Sequence, residues 1–241
     1  MSRRKSTRAR GEKAEDSGFK PKKVVGRTLN QKEYIKQILA SDITFAYGPA
    51  GSGKTHIAIG MALDALKSNK VSKIVLSRPA VDSGTSLGYL PGTMEDKMAP
   101  YLAPLYDELT YYAEMKAILA WLEHKVIEIV PLSLMRGRTF NDTFIVLDEA
   151  QNALLTELRM FLTRIGINSK MVITGDVTQS DLFKDDQGGL THCINRLHKI
   201  EGISVSCLTS DDIVRHELIA KIEDALSKKR TASCFRARNA K

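Results

Sequence analysis

A chain of 241 residues, 43% of them hydrophobic, is long enough for one well-buried domain with a small appendage, and it carries a formal net charge of +8. No run approaches the roughly 20 apolar residues that span a bilayer, and no apolar stretch follows the basic Met1–Arg10, so neither a membrane protein nor a secretory signal is expected. Cys193, Cys207 and Cys234 are widely spaced and odd in number, which argues against a disulfide framework or a zinc site and fits thiols in a reducing cytosol.

The charge is unevenly spread. Residues 1–28 hold 10 Lys and Arg against 3 Asp and Glu, and residues 227–241 hold 6 against none, whereas 29–226 keep 20 against 25. Both ends are polar and poor in large apolar residues, and they read as disordered basic arms. Such arms contact nucleic acid by neutralising phosphates, or they simply solubilise. The folded domain is expected over 29–226.

In chain order, Leu29–Leu39 has apolar residues at helical spacing behind Thr28 and Asn30 as candidate caps. Ile43–Tyr47 is an apolar strand, followed by a glycine-rich turn and a helix to about Leu66 that Ser68-Asn69 close. Lys73–Ser77 is a second strand. Residues 78–92 are too rich in Pro and Gly for a continuous helix, and helical segments follow at roughly 93–110 and 113–124. Further strands are expected at Val126–Val130 (with Pro131 ending it), Thr143–Leu147, Lys170–Thr174 and Ile203–Cys207. Helices are expected at 154–165, 188–199 and 211–226. Strands alternating with helices imply an α/β fold with a mostly parallel, doubly covered sheet, and 78–125 form a helical insertion over its C-terminal edge.

The chemistry lies at strand ends. Gly48-Pro49-Ala50-Gly51-Ser52-Gly53-Lys54-Thr55 fits G-x-x-x-x-G-K-[ST], a turn whose inward N–H groups cradle phosphates. Lys54 is positioned for the β- and γ-phosphates and Thr55 for Mg²⁺. An ordinary strand-to-helix turn is the rival reading, and the strand before and helix after favour the phosphate cradle. Asp148 and Glu149 follow an apolar strand: Asp148 suits the Mg²⁺ shell, and Glu149 suits polarising a water. Having both favours hydrolysis over a small-molecule kinase. Gln179, after another strand, suits sensing the γ-phosphate, although a polar turn also explains Gly175–Asp181. Gln151 is similarly placed beside Glu149. Near the start, the Asn30 and Gln31 amides suit an adenine edge, with helix capping by Asn30 as the competing explanation.

Gly48–Thr55, Arg78–Gly84, Leu87–Gly92, Pro100–Asp107, Gly137–Asn141, Leu147–Asn152, Thr163–Gly166, Gly175–Gln179 and Asp212–His216 together resemble the PhoH-like ATPases, over nearly all of 28–226. That family looks like the first motor domain of superfamily 1 helicases. The resemblance implies a three-layer α/β/α, RecA-like P-loop NTPase fold, ATP and Mg²⁺ as ligands, ATPase activity and an RNA-linked role. It places the family's adenine-side Gln on Gln31. Some relatives carry a fused PIN-type nuclease, for which this chain has no room. With no second motor domain expected, an arginine must reach the γ-phosphate from a neighbouring subunit. Arg215 is the first candidate and Arg164 the second, each with a surface ion pair as its rival. The expectation is a cytoplasmic ATPase in a homo-oligomer, such as a hexameric ring, coupled to RNA or single-stranded nucleic acid. Arg78, Tyr89, Tyr101 and Tyr106 are candidate strand contacts, with core packing the alternative for the tyrosines. A nucleotide-gated binding module with little turnover, recruiting a partner nuclease, is the alternative function.

Overall fold

The computed structural model describes residues 22–79, 94–177 and 189–213. Its elements are α1 (Leu29–Ala40), β1 (Ile43–Tyr47), α2 (Lys54–Lys67), β2 (Lys73–Arg78), α3 (Met94–Tyr112), α4 (Met115–Glu123), β3 (Ile127–Pro131), β4 (Thr143–Leu147), α5 (Leu155–Leu162), β5 (Lys170–Gly175), α6 (Gly189–Leu197) and β6 (Ile203–Cys207). The six strands form one sheet in the order β3-β2-β4-β5-β1-β6, with every pair parallel.

The period of two along each strand sorts side chains into two cores. Ala46, Ile74, Leu76, Phe144, Val146 and Val172 face one layer, where Tyr34 and Ile38 of α1, Ile57 of α2, Leu105 of α3 and Ile118 of α4 cover them. Phe45, Val75, Ile145, Leu147, Met171 and Ile173 face the other, under Leu158 and Phe161 of α5 and Leu190 of α6. Burial on both faces explains why β4 runs through four consecutive apolar residues, Phe144–Leu147, rather than alternating. The result is the three-layer α/β/α, P-loop NTPase fold, with α3 and α4 forming the helical insertion.

The chain is packed ahead of Leu29, the boundary expected from the sequence. Val24 lies against the core, and the Lys22 ammonium sits 4.3 Å over the Tyr111 ring. Thr28, not Asn30, caps α1, its hydroxyl accepting from the Gln31 N–H at 3.2 Å. The helix expected to start at Asp211 does not start there. Ser210–Asp212 make one 3₁₀ turn and Ile213 is extended, because the Asp212 carboxylate turns back to accept from the Thr209 N–H at 2.7 Å. The rest of that expected helix, most of the N-terminal arm and the C-terminal tail lie outside the described residues. Among the described residues, no helix is long and apolar enough to cross a membrane.

Candidate functional site

All six strands point their C-terminal ends to one edge, where open parallel sheets bind ligands. The glycine turn leaves β1 at that edge. The Gly48 N–H donates to the Gly175 carbonyl at 3.2 Å, and a Cβ on Gly48 would meet the Leu208 carbonyl oxygen at 2.3 Å. Gly53, at φ 89°, sits in the left-handed region that side chains disfavour, and it launches α2 with no side-chain cap. The N-terminus of α2, the positive end of its dipole, therefore abuts the turn, an arrangement that favours anions. Lys54 folds back across the turn, its Nζ donating to the Gly48 carbonyl at 2.6 Å and the Pro49 carbonyl at 2.8 Å. Ser52 is buried and its hydroxyl donates to the same Pro49 carbonyl. Pro49, Ala50 and Gly51 form the outer arc of the turn.

Gln31 braces this turn from behind. Its buried amide Nε2 donates to the Ser52 carbonyl at 3.0 Å and the Asp212 carbonyl at 3.2 Å, and its Oε1 accepts from the Arg27 N–H. In this arrangement the side chain is a strut between the turn and the segment after β6. Asp212, which the sequence reading gave no role, is the centre of the clasp. Its carboxylate accepts from the Thr28 hydroxyl, from Asn30 Nδ2 at 2.9 Å and from Thr209. Burial alone would push this carboxyl up, but the hydrogen bonds from Thr209, Thr28 and Asn30 outweigh it and hold it below the usual carboxylate range.

Opposite the turn, β4 delivers Asp148 and Glu149. Asp148 is 4% exposed, and its Oδ1 accepts from the Thr55 hydroxyl at 2.5 Å and the Thr174 hydroxyl at 2.7 Å. Thr174 belongs to β5, which lies between β1 and β4 and so ties the two ligand-bearing strands together. Burial pushes the Asp148 carboxyl up, opposed by the Arg78 guanidinium and by the two hydroxyls. A buried carboxylate held against a threonine hydroxyl is a hard-oxygen pair suited to Mg²⁺. Among the described residues no group of three His, Cys, Asp or Glu side chains could hold a metal alone.

Glu149 adopts φ 55°, ψ 38°, an uncommon conformation for a residue with a side chain. Arg78 Nη2 donates to its Oε1 at 3.0 Å, and Gln151 Nε2 donates to its Oε2 at 2.5 Å. Gln151, itself buried, accepts the Asp176 N–H at 3.0 Å on its Oε1. Arg78 Nε also lies 3.5 Å from Asp148 Oδ2. Arg78, expected as a strand contact, therefore faces the carboxylate pair.

The structure thus brings together Gly48–Thr55, Gln31, Asp148, Glu149 and Gln151, with Arg78 and Thr174 added. Gln179, Arg215 and Tyr89 lie outside the described residues, as does the Tyr101 side chain, and Tyr106 is partly buried against the core. Arg164 caps the far end of α5, donating to the Met160 carbonyl at 3.0 Å and the Arg138 carbonyl at 3.2 Å. It stands by Phe140, beyond the end of β4 opposite Asp148. Thr174 was not legible because strand order is not written in sequence order. The Asp212 clasp joins residues more than 180 positions apart.

The profile of the family described as "PhoH-like protein" matches residues 23–227. The chain is 49% identical over 202 residues to a PhoH-like protein of Mycobacterium bovis, covering 84% of this chain and 57% of that one. It is 46% identical over 209 residues to a PhoH-like protein of Bacillus subtilis, covering 87% and 66%. It is 35% identical over 206 residues to Protein PhoH of Escherichia coli, covering 85% and 58%. The chain thus spans a little over half to about two thirds of the length of these relatives.

Proposed function

The chain belongs to the PhoH-like protein family, and from that membership we propose that it is an Mg²⁺-dependent ATPase releasing ADP and phosphate, coupled to RNA or single-stranded nucleic acid. The observation that carries this reading is the meeting of Thr55 Oγ1 and Asp148 Oδ1 at 2.5 Å, beside Lys54 and one residue from Glu149. Phosphoryl transfer asks a protein for positioning and charge rather than covalent chemistry, and these side chains supply both.

Lys54 exchanges the Gly48 and Pro49 carbonyls for the β- and γ-phosphates, while the turn and the start of α2 direct N–H groups at phosphate oxygens. Thr55 and Asp148 would hold Mg²⁺, which would supply positive charge to offset that of the triphosphate. Glu149 accepts a proton from the attacking water as its oxygen bonds to the γ-phosphorus and the bond to the ADP oxygen breaks. Gln179 is assigned to sensing the γ-phosphate and Gln31 to the adenine side of the cradle. Arg215 is assigned to the γ-phosphate of a neighbouring subunit in a homo-oligomeric ring, such as a hexamer.

The basic arms 1–28 and 227–241 are assigned to nucleic-acid phosphates. Free Cys193 and Cys207 suit a reducing cytoplasm. One observation favours the alternative, a nucleotide-gated module that turns over little and recruits a nuclease: both Glu149 oxygens already accept hydrogen bonds. Phosphate release by the purified chain, with and without single-stranded RNA, separates the two. The ATPase reading expects release that RNA accelerates several-fold. Tight ATP binding with no release in either condition supports the module instead.

A further inference from the structure

Glu149 is gripped from two sides by groups of different character. Gln151 is buried and fixed at its other end by the Asp176 backbone, so it is a static support. Arg78 has a side chain only 19% exposed, yet it ends in a charge that faces two carboxylates, Glu149 Oε1 at 3.0 Å and Asp148 Oδ2 at 3.5 Å. It is the last residue of β2, paired in register with Pro131, and Pro79 next to it has no N–H with which to extend the ladder. A guanidinium is a pure donor whose planar fork also matches phosphate.

We infer that Arg78 is a positioning residue that holds Glu149 idle, and that a backbone phosphate of bound single-stranded nucleic acid draws the guanidinium away and frees the carboxylate oxygen for water. The physical basis is competition for one donor. While Arg78 Nη2 donates to Oε1, that oxygen is drawn toward the end of β2, and Gln151 holds the other. A phosphate presented beside β2 can take two prongs of the fork at once, where each carboxylate takes one, and Glu149 then keeps its Gln151 support. The inference rests on the ATPase reading and deepens it by making low basal turnover a built-in state.

The test is kcat and KM for ATP at saturating Mg²⁺ for wild type, R78Q, R78K and E149Q, each with and without a single-stranded RNA. Basal kcat of R78Q is expected to rise about tenfold, the size of one charge-assisted hydrogen bond, with KM unchanged. RNA should raise the wild type to that level and add little to R78Q, while R78K, which keeps the charge but not the two-pronged fork, falls between wild type and R78Q. R78M, which keeps the apolar stem, replaces R78Q if the amide disturbs folding or ATP binding. A lower kcat for R78Q in both conditions overturns the inference, because Arg78 would then act on the ATP phosphate itself. Unchanged basal and RNA-stimulated rates overturn it too. If the wild type releases no phosphate with or without RNA, the ATPase reading fails; if E149Q turns over like wild type, the assignment of Glu149 as base fails and the inference about Arg78 with it. If E149Q is inactive and R78Q is unaltered, only the inference about Arg78 fails.

Discussion

Glu149→Gln is expected to lower phosphate release by about 10²- to 10⁴-fold, the range for loss of a general base, while ATP still binds. The change keeps the carboxylate's shape and removes its charge and its ability to take a proton. Its cost to the ground state is readable from the neighbours. Arg78 Nη2 and Gln151 Nε2 are both donors, and an amide offers them one acceptor and one donor, so one of the two contacts must be lost. The loss falls beside the phosphate cradle, not in it, since Lys54 and Thr55 bond elsewhere. Rapid-quench or coupled phosphate assays read turnover, and a fluorescent nucleotide reads binding. A variant that hydrolyses at the wild-type rate removes Glu149 from the chemistry.

Lys54→Ala is expected to weaken ATP binding by roughly 10- to 100-fold, the worth of a charge-assisted hydrogen bond. Two effects combine. The ammonium that would meet the phosphates is gone, and so are its bonds to the Gly48 and Pro49 carbonyls, which tie the turn together. Because the lysine trades those carbonyls for phosphate, the gain is less than the full strength of a new ion pair. Titration calorimetry with ATP and Mg²⁺ measures the change directly. An unaltered affinity would mean that the nucleotide does not lie along this turn.

Much of this site could be read from residues close in sequence. Gly48–Thr55 is local, and so is the delivery of Asp148 and Glu149 by a strand whose five residues are all buried. The strands and helices were expected to within a few residues, because alternation and apolar spacing are local signals. What the sequence hid depends on which strands become neighbours. Arg78 was expected to contact a nucleic-acid strand, yet β2 pairs with β4, and that pairing aims its guanidinium at the Asp148–Glu149 pair. The contacts of Gln31, expected at the adenine edge, were equally hidden: its amide joins the Ser52 and Asp212 carbonyls from opposite ends of the chain. The missing start of the last helix has the same origin. Asp212 bonds to Thr28 and Asn30 across the fold and to Thr209 beside it, and those bonds hold the turn in place of a helix.

The most direct measurement is a structure of the chain with a non-hydrolysable ATP analogue and Mg²⁺. The triphosphate is expected along Gly48–Thr55, with Lys54 Nζ moved from the Gly48 and Pro49 carbonyls onto the β- and γ-phosphates and with Thr55 and Asp148 sharing the cation. A nucleotide bound elsewhere, or one bound here with Lys54 still on those two carbonyls, would contradict the assignment of this edge of the sheet as the ATP site.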